Sequence, residues 1–311
     1  MYKRQVYGLA GSTHLTRIAE YAGDSTPALF AVGVFLTLVG FAFKVSAVPF
    51  HFWAPDTYEG APLPVTAFLS VASKAGGFVA LLTIVRFGFF PSDDSWEPIL
   101  WILAAASMIL GNLAALRQTN IVRMLAYSSI AQGGFILVPL AVAGNVTGNS
   151  AWEAVVIYLL IYAAMNLGAF GAVLAVARRT GSSEITAFSG LGRTDPVLAL
   201  MTSIFLFSLA GIPPLAGWFA KFVMFRAVFD AGTTSAVVLG VLAAVSSVVA
   251  FFYYAAVVRR IWFHEPAETG ARRPTPVALT AAMGITTVIV LVVGVYPQFF
   301  ARIGDLAFRM G

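Results

Sequence analysis

The sequence contains no cysteine and only three histidines. Without thiols the chain forms no disulfide, and it holds no iron–sulfur cluster through its own side chains. The histidines, His14, His51 and His264, are too far apart along the chain to suggest a haem or metal site, and no glycine-rich phosphate loop follows a strand. We therefore predict that the chain itself binds neither a metal nor a redox cofactor.

Charged residues are also scarce, at 11% of the 311 residues, whereas 59% are hydrophobic. An ordinary soluble domain has about 25% charged residues. A hydrocarbon layer of about 30 Å requires about 20 apolar residues of helix. Windows of this length identify eight apolar spans, at residues 27–50, 63–86, 97–116, 121–143, 152–177, 197–229, 233–262 and 276–300. The spans are continuously apolar and do not alternate as in a β-barrel. They predict an all-α, polytopic membrane protein with about eight transmembrane helices.

The arginines gather in alternate loops between these spans. The three groups are Arg117 with Arg123, then Arg178, Arg179 and Arg193, and finally Arg259, Arg260, Arg272 and Arg273. The intervening loops at residues 144–151 and 230–232 contain no lysine or arginine. This asymmetry is the positive-inside pattern of a bacterial inner membrane protein, and it predicts that the basic loops face the cytoplasm. It also explains the sequence pI of 9.6 without any binding to nucleic acid.

The first 26 residues contain no apolar segment typical of a signal peptide. Residues 7–15 (YGLAGSTHL) are typical of a loop between membrane helices. We therefore expect residues 1–26 to be an outer-side loop or truncated start, in a chain that begins partway through a longer protein.

Two of the apolar spans contain helix breakers. Pro49 lies near the end of the first span, in the segment KVSAVP (44–49), and the sixth span contains Gly211, Pro213, Pro214 and Gly217. A straight helix over residues 197–229 would approach about 50 Å, which is too long for the membrane. Both spans are therefore predicted to be discontinuous helices, which mark ion pathways in transporters. A plain proline kink is the alternative.

A weak internal match connects the two breaks. Phe43, Ser46 and Pro49 resemble Phe205, Ser208 and Pro213 at an offset of 162 to 164 residues. The match would fit a pair of structural repeats of which the first is incomplete. The predicted divisions are residues 27–90 for the end of the first repeat, 97–262 for the second repeat and 276–311 for the final helix and C-terminus.

The lysines carry the functional argument. The chain has 15 arginines and four lysines, and three of the lysines, Lys44, Lys74 and Lys221, lie within apolar spans. Arginine stays protonated under biological conditions, whereas a lysine in an apolar environment is able to release its proton. Placing an ammonium at the bilayer centre costs at least about 2.5 to 3.5 kcal/mol. We therefore predict that the three lysines form a proton relay, with snorkelling to the interface as the alternative.

Polar side chains recur at helical spacing around these lysines. They are Thr66, Ser70 and Ser73 on the face of Lys74, which Gly77 shares, then Ser128 with Gln132, and Tyr158 with Tyr162 and Asn166. Such groups pass protons through a bundle or join helices as interhelical contacts, and both interpretations stay open. His51, Asp56 and Glu59 follow the first break. They would gate or orient Lys44, or form a simple turn.

Four segments carry a resemblance to a known family. They are FKVSAVPFHFWAPDTYEGAPLPVTAFLSVASKAGGF (43–78), QTNIVRMLAYSSIAQGGF (118–135), YAAMNLGAFG (162–171) and SLAGIPPLAGWFAKF (208–222). Together they closely resemble subunit N of the NADH:quinone oxidoreductases, respiratory complex I. The resemblance covers essentially residue 7 to the C-terminus.

The resemblance implies an antiporter-like subunit of about fourteen helices in two inverted repeats. This chain would supply the seventh to fourteenth helices, a partial antiporter-like fold in which the seventh and twelfth are broken. Lys44, Lys74 and Lys221 match the family's lysines on its seventh, eighth and twelfth helices, which form the central proton relay. The family pairs the first lysine with a glutamate on its fifth helix, which would lie upstream of Met1. Without that glutamate the first half-channel is incomplete.

The implied function is proton translocation by a subunit of a NADH:quinone oxidoreductase. NADH, FMN, iron–sulfur clusters and quinone would bind in partner subunits, and the neighbours in the bilayer would be the M-type and K-type membrane subunits. A subunit of a multi-subunit sodium/proton antiporter is the alternative. The segment FHFWAPDTYEGAP (50–62) favours the first.

Overall fold

A computed structural model of the chain describes residues 3–24, 28–266, 275–298 and 301–302. These residues form fourteen α-helices and an isolated β-bridge between Asn120 and Glu184. In chain order the helices are α1 (Lys3–Ala10), α2 (Leu15–Asp24), α3 (Ala28–Lys44), α4 (Trp53–Gly60), α5 (Leu63–Phe68), α6 (Lys74–Ile84), α7 (Asp93–Ala115), α8 (Ile121–Leu140), α9 (Ser150–Thr180), α10 (Leu191–Thr194), α11 (Pro196–Ala210), α12 (Ala216–Ala231), α13 (Thr234–Phe263) and α14 (Val277–Val295). A π-helical turn at Leu69–Ser73 joins α5 to α6. A second π-turn at Val85–Phe89 and a 3₁₀ turn at Phe90–Ser92 join α6 to α7.

Within the described residues, each of the eight predicted spans contains a helix, and residues 27, 299 and 300 lie outside the described part. In the described residues, five helical runs are long and apolar enough to cross a membrane: Leu63–Ala115, Ile121–Asn145, Ser150–Thr180, Thr234–Phe263 and Val277–Val295. The apolar helices α3 and α11 are shorter, because each ends at one of the predicted breaks. The prediction of an all-α, polytopic membrane protein is therefore confirmed.

The run Leu63–Ala115 contains two of the predicted spans. Its 53 residues would extend about 80 Å as a straight helix, far more than one crossing needs. Contacts with the first predicted break show that it reverses direction, because Ser73 accepts a hydrogen bond from Lys44 and Ser107 accepts one from the backbone N–H of Val48. Residues well before and well after the turns at 85–92 therefore reach the same part of the bundle.

Helix α8 lies at the centre of the bundle. All of its residues except Arg123 and Tyr127 are buried. By contrast, only five of the 19 residues of α14 are buried. Helices α7 and α8 approach closely at Gly134, where an added Cβ would lie 2.8 Å from the backbone nitrogen of Met108. Glycine at this position therefore lets the two backbones pack together.

The arginine-bearing loops meet at one end of the bundle. The backbone N–H of Ile121 donates to the carbonyl of Ser183, and that of Gly190 donates to the carbonyl of Arg260. Arg193 forms an ion pair with Glu265. This arrangement agrees with the predicted placement of the basic loops on one side of the membrane. Arg272 and Arg273 lie outside the described residues.

The start of the chain differs from the prediction of a loop. Residues 7–10 belong to α1, and Leu15 begins α2. Ile18 and Ala22, one turn apart in α2, are both buried. The segment is therefore folded into two short helices because it has an apolar face to bury.

Candidate functional site

The first predicted break lies between α3 and α4. Helix α3 ends at Lys44, and Ser46 adopts a left-handed conformation with φ 56°. The backbone N–H of Ala47 donates to the carbonyl of Ala42, and that of Val48 donates to the hydroxyl of Ser107 on α7. The protein itself thus satisfies these backbone groups, as a break at membrane depth requires.

The second break lies between α11 and α12. Gly211 is left-handed with φ 92°. The backbone N–H of Ile212 donates to the carbonyl of Phe207, and that of Gly217 donates to the hydroxyl of Ser208. Both predicted discontinuities, at Pro49 and at residues 211–217 with Pro213 and Pro214, are therefore present in the fold.

Lys221 on α12 reaches back into the second break. Its side chain is 7% exposed, and Nζ donates to the carbonyl of Ala210, the last residue of α11, at 2.7 Å. Nζ also lies 4.8 Å from the centre of the Phe135 ring on α8. The break therefore provides this ammonium with a carbonyl partner, and α8 provides an aromatic face.

Lys74 is buried on the other side of α8. Its side chain is 2% exposed, and Nζ donates to the carbonyl and to the hydroxyl of Ser129, both at 2.7 Å. Lys74 follows the π-turn Leu69–Ser73 directly. Such turns are frequent at functional sites. No sequence signal predicted this turn. Ser129, which was not among the predicted site residues, is the residue that contacts Lys74, whereas its predicted neighbour Ser128 does not.

Lys44 differs from its predicted burial. Its side chain is exposed, and Nζ donates to the hydroxyl of Ser73 at 3.0 Å. It lines a partly open cavity of about 430 Å³ together with Tyr7, Thr37 and Phe41. Lys44 and Lys74 are therefore in different environments, although Ser73 immediately precedes Lys74.

In the described structure the polar residues predicted to gate or orient Lys44 form no hydrogen bond or ion pair with this lysine. Asp56 and Glu59 each bind Arg123 at the start of α8, with N–O distances of 2.8 Å. His51 is partly buried, and its Nδ1 has no hydrogen-bond partner in the described part of the chain. The two carboxylates thus attach α4 to the end of α8 and do not orient Lys44.

Side chains of α9 join the predicted polar stripes to one another. Gln132 donates to the carbonyl of Leu209, next to the partner of Lys221, and accepts a hydrogen bond from Tyr158 at 2.7 Å. Asn166 donates to Ser70 at 2.8 Å. The Tyr162 hydroxyl approaches Ser129 without forming a hydrogen bond to it. Polar groups therefore surround α8 between the two buried lysines.

Ser128 faces a different neighbour from Ser129. Its hydroxyl forms a hydrogen bond with the hydroxyl of Tyr254 on α13. Tyr254 and its neighbour Tyr253 are not among the predicted site residues, although two adjacent tyrosines within an apolar span are a signal present in the sequence.

Neither buried lysine has a carboxylate partner in the described structure. The ion pairs found there all use arginine: Arg17, Arg123, Arg179, Arg193 and Arg226. The described residues also contain no cluster of histidine, aspartate and glutamate able to hold a metal ion. The described site therefore contains two buried lysines whose contacts are a hydroxyl, backbone carbonyls and an aromatic ring.

Comparison with known proteins assigns this arrangement to a family. Residues 4–247 match the family of transmembrane proteins described as NADH:quinone oxidoreductase/Mrp antiporter. The chain belongs to this family. It is 46% identical to NADH-quinone oxidoreductase subunit N of Parvibaculum lavamentivorans over 295 residues, which cover 94% of the chain and 59% of that relative. The resemblance to subunit N is thus confirmed.

Solved structures of the NADH:quinone oxidoreductase/Mrp antiporter family share the fold. A chain of respiratory complex I from Thermus thermophilus is 34% identical, with a TM-score of 0.81, covering 97% of this chain and 64% of that one. A chain of the Mrp complex from Dietzia sp. is 24% identical, with a TM-score of 0.87, covering 98% of this chain and 64% of that one. The predicted antiporter-like fold is therefore confirmed, and this chain spans less than two thirds of each relative.

Proposed function

We propose that the chain is part of a membrane-arm subunit of a NADH:quinone oxidoreductase, and that Lys74 and Lys221 relay protons within it. The observation that carries the proposal is that two buried lysines, neither paired with a described carboxylate, contact the same central helix α8. Ionisable groups inside a membrane bundle are costly, and they mark proton or ion pathways.

A polar connection between the two lysines supports the relay. Ser129 binds Lys74, and Gln132, one turn further along α8, binds the carbonyl next to that of Ala210, which Lys221 uses. The phenol of Tyr162 lies beside Ser129, and that of Tyr158 binds Gln132. Hydroxyl, phenol and amide groups are able both to donate and to accept hydrogen bonds, as a proton path requires.

Lys44 is proposed as a third relay group on the basis of the family resemblance. Its contact with Ser73 brings it next to the π-turn that precedes Lys74. A proton leaving Lys44 would therefore enter the relay at Lys74.

The two broken regions support the proposed pair of repeats. The left-handed residues Ser46 and Gly211 are 165 positions apart, and each is followed three residues later by a proline. At the same offset, Trp53 begins α4 and Trp218 lies in the first turn of α12. The structural offset therefore differs slightly from the sequence estimate of 162 to 164 residues, which paired Ser46 with Ser208.

The remaining elements of the proposal follow from the relatives. Electrons would pass from NADH to quinone in other subunits, through FMN and iron–sulfur clusters bound there. M-type and K-type membrane subunits would be the neighbours, in the inner membrane of a bacterium. Proton movement in this chain would be driven by that distant redox chemistry.

Replacement of each lysine by leucine in the assembled enzyme tests the proposal. Lys74→Leu and Lys221→Leu are expected to lower NADH-driven proton translocation into inverted membrane vesicles severalfold, because leucine fills the space but carries no proton. Arg226→Leu is the matched control. It removes a cation from α12 that is 64% exposed and paired with Asp230. Wild-type translocation in both lysine variants, with assembly verified, would contradict the relay.

A multi-subunit sodium/proton antiporter is the second candidate, since the Mrp complex has the same fold. The same vesicles distinguish the two functions. An antiporter would move protons in response to a sodium gradient without NADH, whereas the favoured function requires NADH oxidation.

A further inference from the structure

Two adjacent tyrosines on α13 are buried, although only 11 of the 30 residues of this helix are buried. Tyr253 is 4% exposed and Tyr254 is 0% exposed. Successive side chains on a helix point about 100° apart, so the two phenols reach different neighbours. The hydroxyl of Tyr254 binds Ser128 on α8, and that of Tyr253 donates to Oδ1 of Asn112 on α7 at 3.0 Å.

Asn112 is fixed in the orientation that receives Tyr253. Its Nδ2 donates to the carbonyl of Met108 at 2.8 Å and to the carbonyl of Ser246 at 3.1 Å. Both amide hydrogens are therefore used, which leaves Oδ1 to accept from the phenol. The position of the Tyr253 hydroxyl is thus determined by the surrounding structure.

Tyr253 also lines a cavity of about 250 Å³ at the end of the bundle where the arginine-bearing loops meet. The polar lining includes Gln118, Thr119, Glu184 and Arg260. Thr119 and Glu184 are exposed, so the cavity communicates with the surface. A polar entrance therefore lies on one side of the tyrosine pair.

The central polar groups of α8 lie on the other side of the pair. The rings of Tyr253 and Tyr254 are 4.4 Å apart between centres, and the Tyr254 hydroxyl lies near Tyr253, Gln132 and Ser128. Gln132 binds the Leu209 carbonyl beside the second break, and Ser129, next to Ser128, binds Lys74. The two phenols thus lie between a cavity that Tyr253 lines and the polar groups of α8.

We propose that Tyr253 and Tyr254 form a side branch that passes protons between this cavity and α8, and that Asn112 acts as the positioning residue. The proposal rests on the proposed function. In the resting arrangement the Tyr253 hydroxyl donates to Asn112. During a transfer it would rotate from Oδ1 of Asn112, donate its proton to the polar lining of the cavity and accept one from Tyr254, which in turn accepts one from Ser128. Neither phenol keeps a charge after the transfer, and the bond to Asn112 returns the Tyr253 hydroxyl to its position. Contact between helices is the alternative role for such hydroxyls.

Removal of single oxygen atoms tests the branch. Tyr253→Phe and Tyr254→Phe keep the rings and are each expected to lower NADH-driven proton translocation by the assembled enzyme severalfold. Because the hydroxyls act in series, the double variant is expected to translocate protons no more slowly than the slower single variant. Tyr21→Phe, whose ring packs on Phe30 at the other end of the bundle, is the control and is expected to match the wild type.

The outcomes separate the branch from the relay. Wild-type translocation in both phenylalanine variants, while Lys74→Leu and Lys221→Leu are impaired, overturns the branch and leaves the relay intact. Wild-type translocation in all four variants overturns both. If Tyr254→Phe does not assemble, Ser128→Ala removes the partner oxygen on α8, and wild-type translocation in that variant overturns the branch. A loss of thermal stability without a loss of translocation likewise overturns it, since it assigns the hydroxyls to helix contact alone.

Discussion

Replacement of Gly217 by alanine tests how closely the two halves of the second broken helix approach each other. A Cβ added at Gly217 would lie 1.7 Å from the carbonyl oxygen of Ser208 and 3.1 Å from Sδ of Met165. Since real Cβ atoms essentially never come within 3.0 Å of another heavy atom, α11 and the start of α12 must move apart by more than 1 Å. The opposing atom belongs to the backbone, so no rotamer change relieves the contact.

The energetic consequence is an overpacking penalty. Extra methyl or methylene groups in a well-packed core cost about 1 to 3 kcal/mol, occasionally more. We expect a value at or above the upper end of this range, since the Gly217 N–H also loses its bond to the Ser208 hydroxyl. Lys221 lies four residues further along α12, so the displacement also disturbs its contact with the Ala210 carbonyl.

The assay compares the melting temperature and the proton translocation of Gly217→Ala with those of Gly284→Ala. Gly284 lies within α14, and an added Cβ there has nothing within 4 Å. Alanine at a helical position is about 0.5 to 1 kcal/mol more favourable than glycine, so Gly284→Ala is expected to be neutral or stabilising. Equal stability of the two variants would refute the close approach of α11 and α12.

Three further predictions concern the same structure. Gly211→Ala is expected to lower stability and translocation more than Gly232→Ala does. Both residues have positive φ, but a Cβ at Gly211 would lie 2.7 Å from Cδ of Lys221, whereas one at Gly232 has nothing within 4 Å. Equal losses in melting temperature would contradict the steric contribution. Ser129→Ala is expected to slow translocation without abolishing it, because the Ser129 carbonyl still binds Lys74. Ser247→Ala, which removes a hydrogen bond within α13 only, is the control in the vesicle assay. An equal effect of the two substitutions would argue against a role for the Ser129 hydroxyl. Asp56→Asn combined with Glu59→Gln is expected to lower stability by up to about 1 kcal/mol, since ion pairs as exposed as these contribute little and salt screens them. Melting temperatures at low and high salt measure the effect. A loss of stability that does not shrink with added salt would contradict its electrostatic origin.

Residue type was enough to predict the spans and the breaks. The transmembrane helices follow from unbroken apolar runs, and the discontinuities follow from Pro49 and the residues around Pro213, which cannot continue a regular helix. Lys74 and Lys221 could be found because a lone cation in an apolar run is conspicuous in any sequence. These features depend on local chemistry and chain length alone.

The partners of the lysines could not be predicted in the same way. Lys221 binds the carbonyl of Ala210, and every residue carries a carbonyl, so the sequence does not distinguish this one. Ser128 and Ser129 are adjacent and both buried, and only the packing of α6 and α13 against α8 decides which of them reaches Lys74. Lys44 resembles Lys74 in sequence, yet its position beside an open cavity leaves it exposed.

The nearly complete burial of α8 limits both the substitutions and the movements that this helix tolerates. A helix with a lipid-facing side tolerates exchanges among apolar residues of different size, whereas α8 has almost no position where added volume would project into lipid. Its pitch is about 5.4 Å, so even a fraction of a turn of sliding would withdraw Ser129 from one ammonium and the Phe135 ring from the other in the same movement. Ser129 and Phe135 thus belong to one continuous helix with no loop between them. A displacement of α8 at one lysine would therefore change the contacts of the other lysine as well.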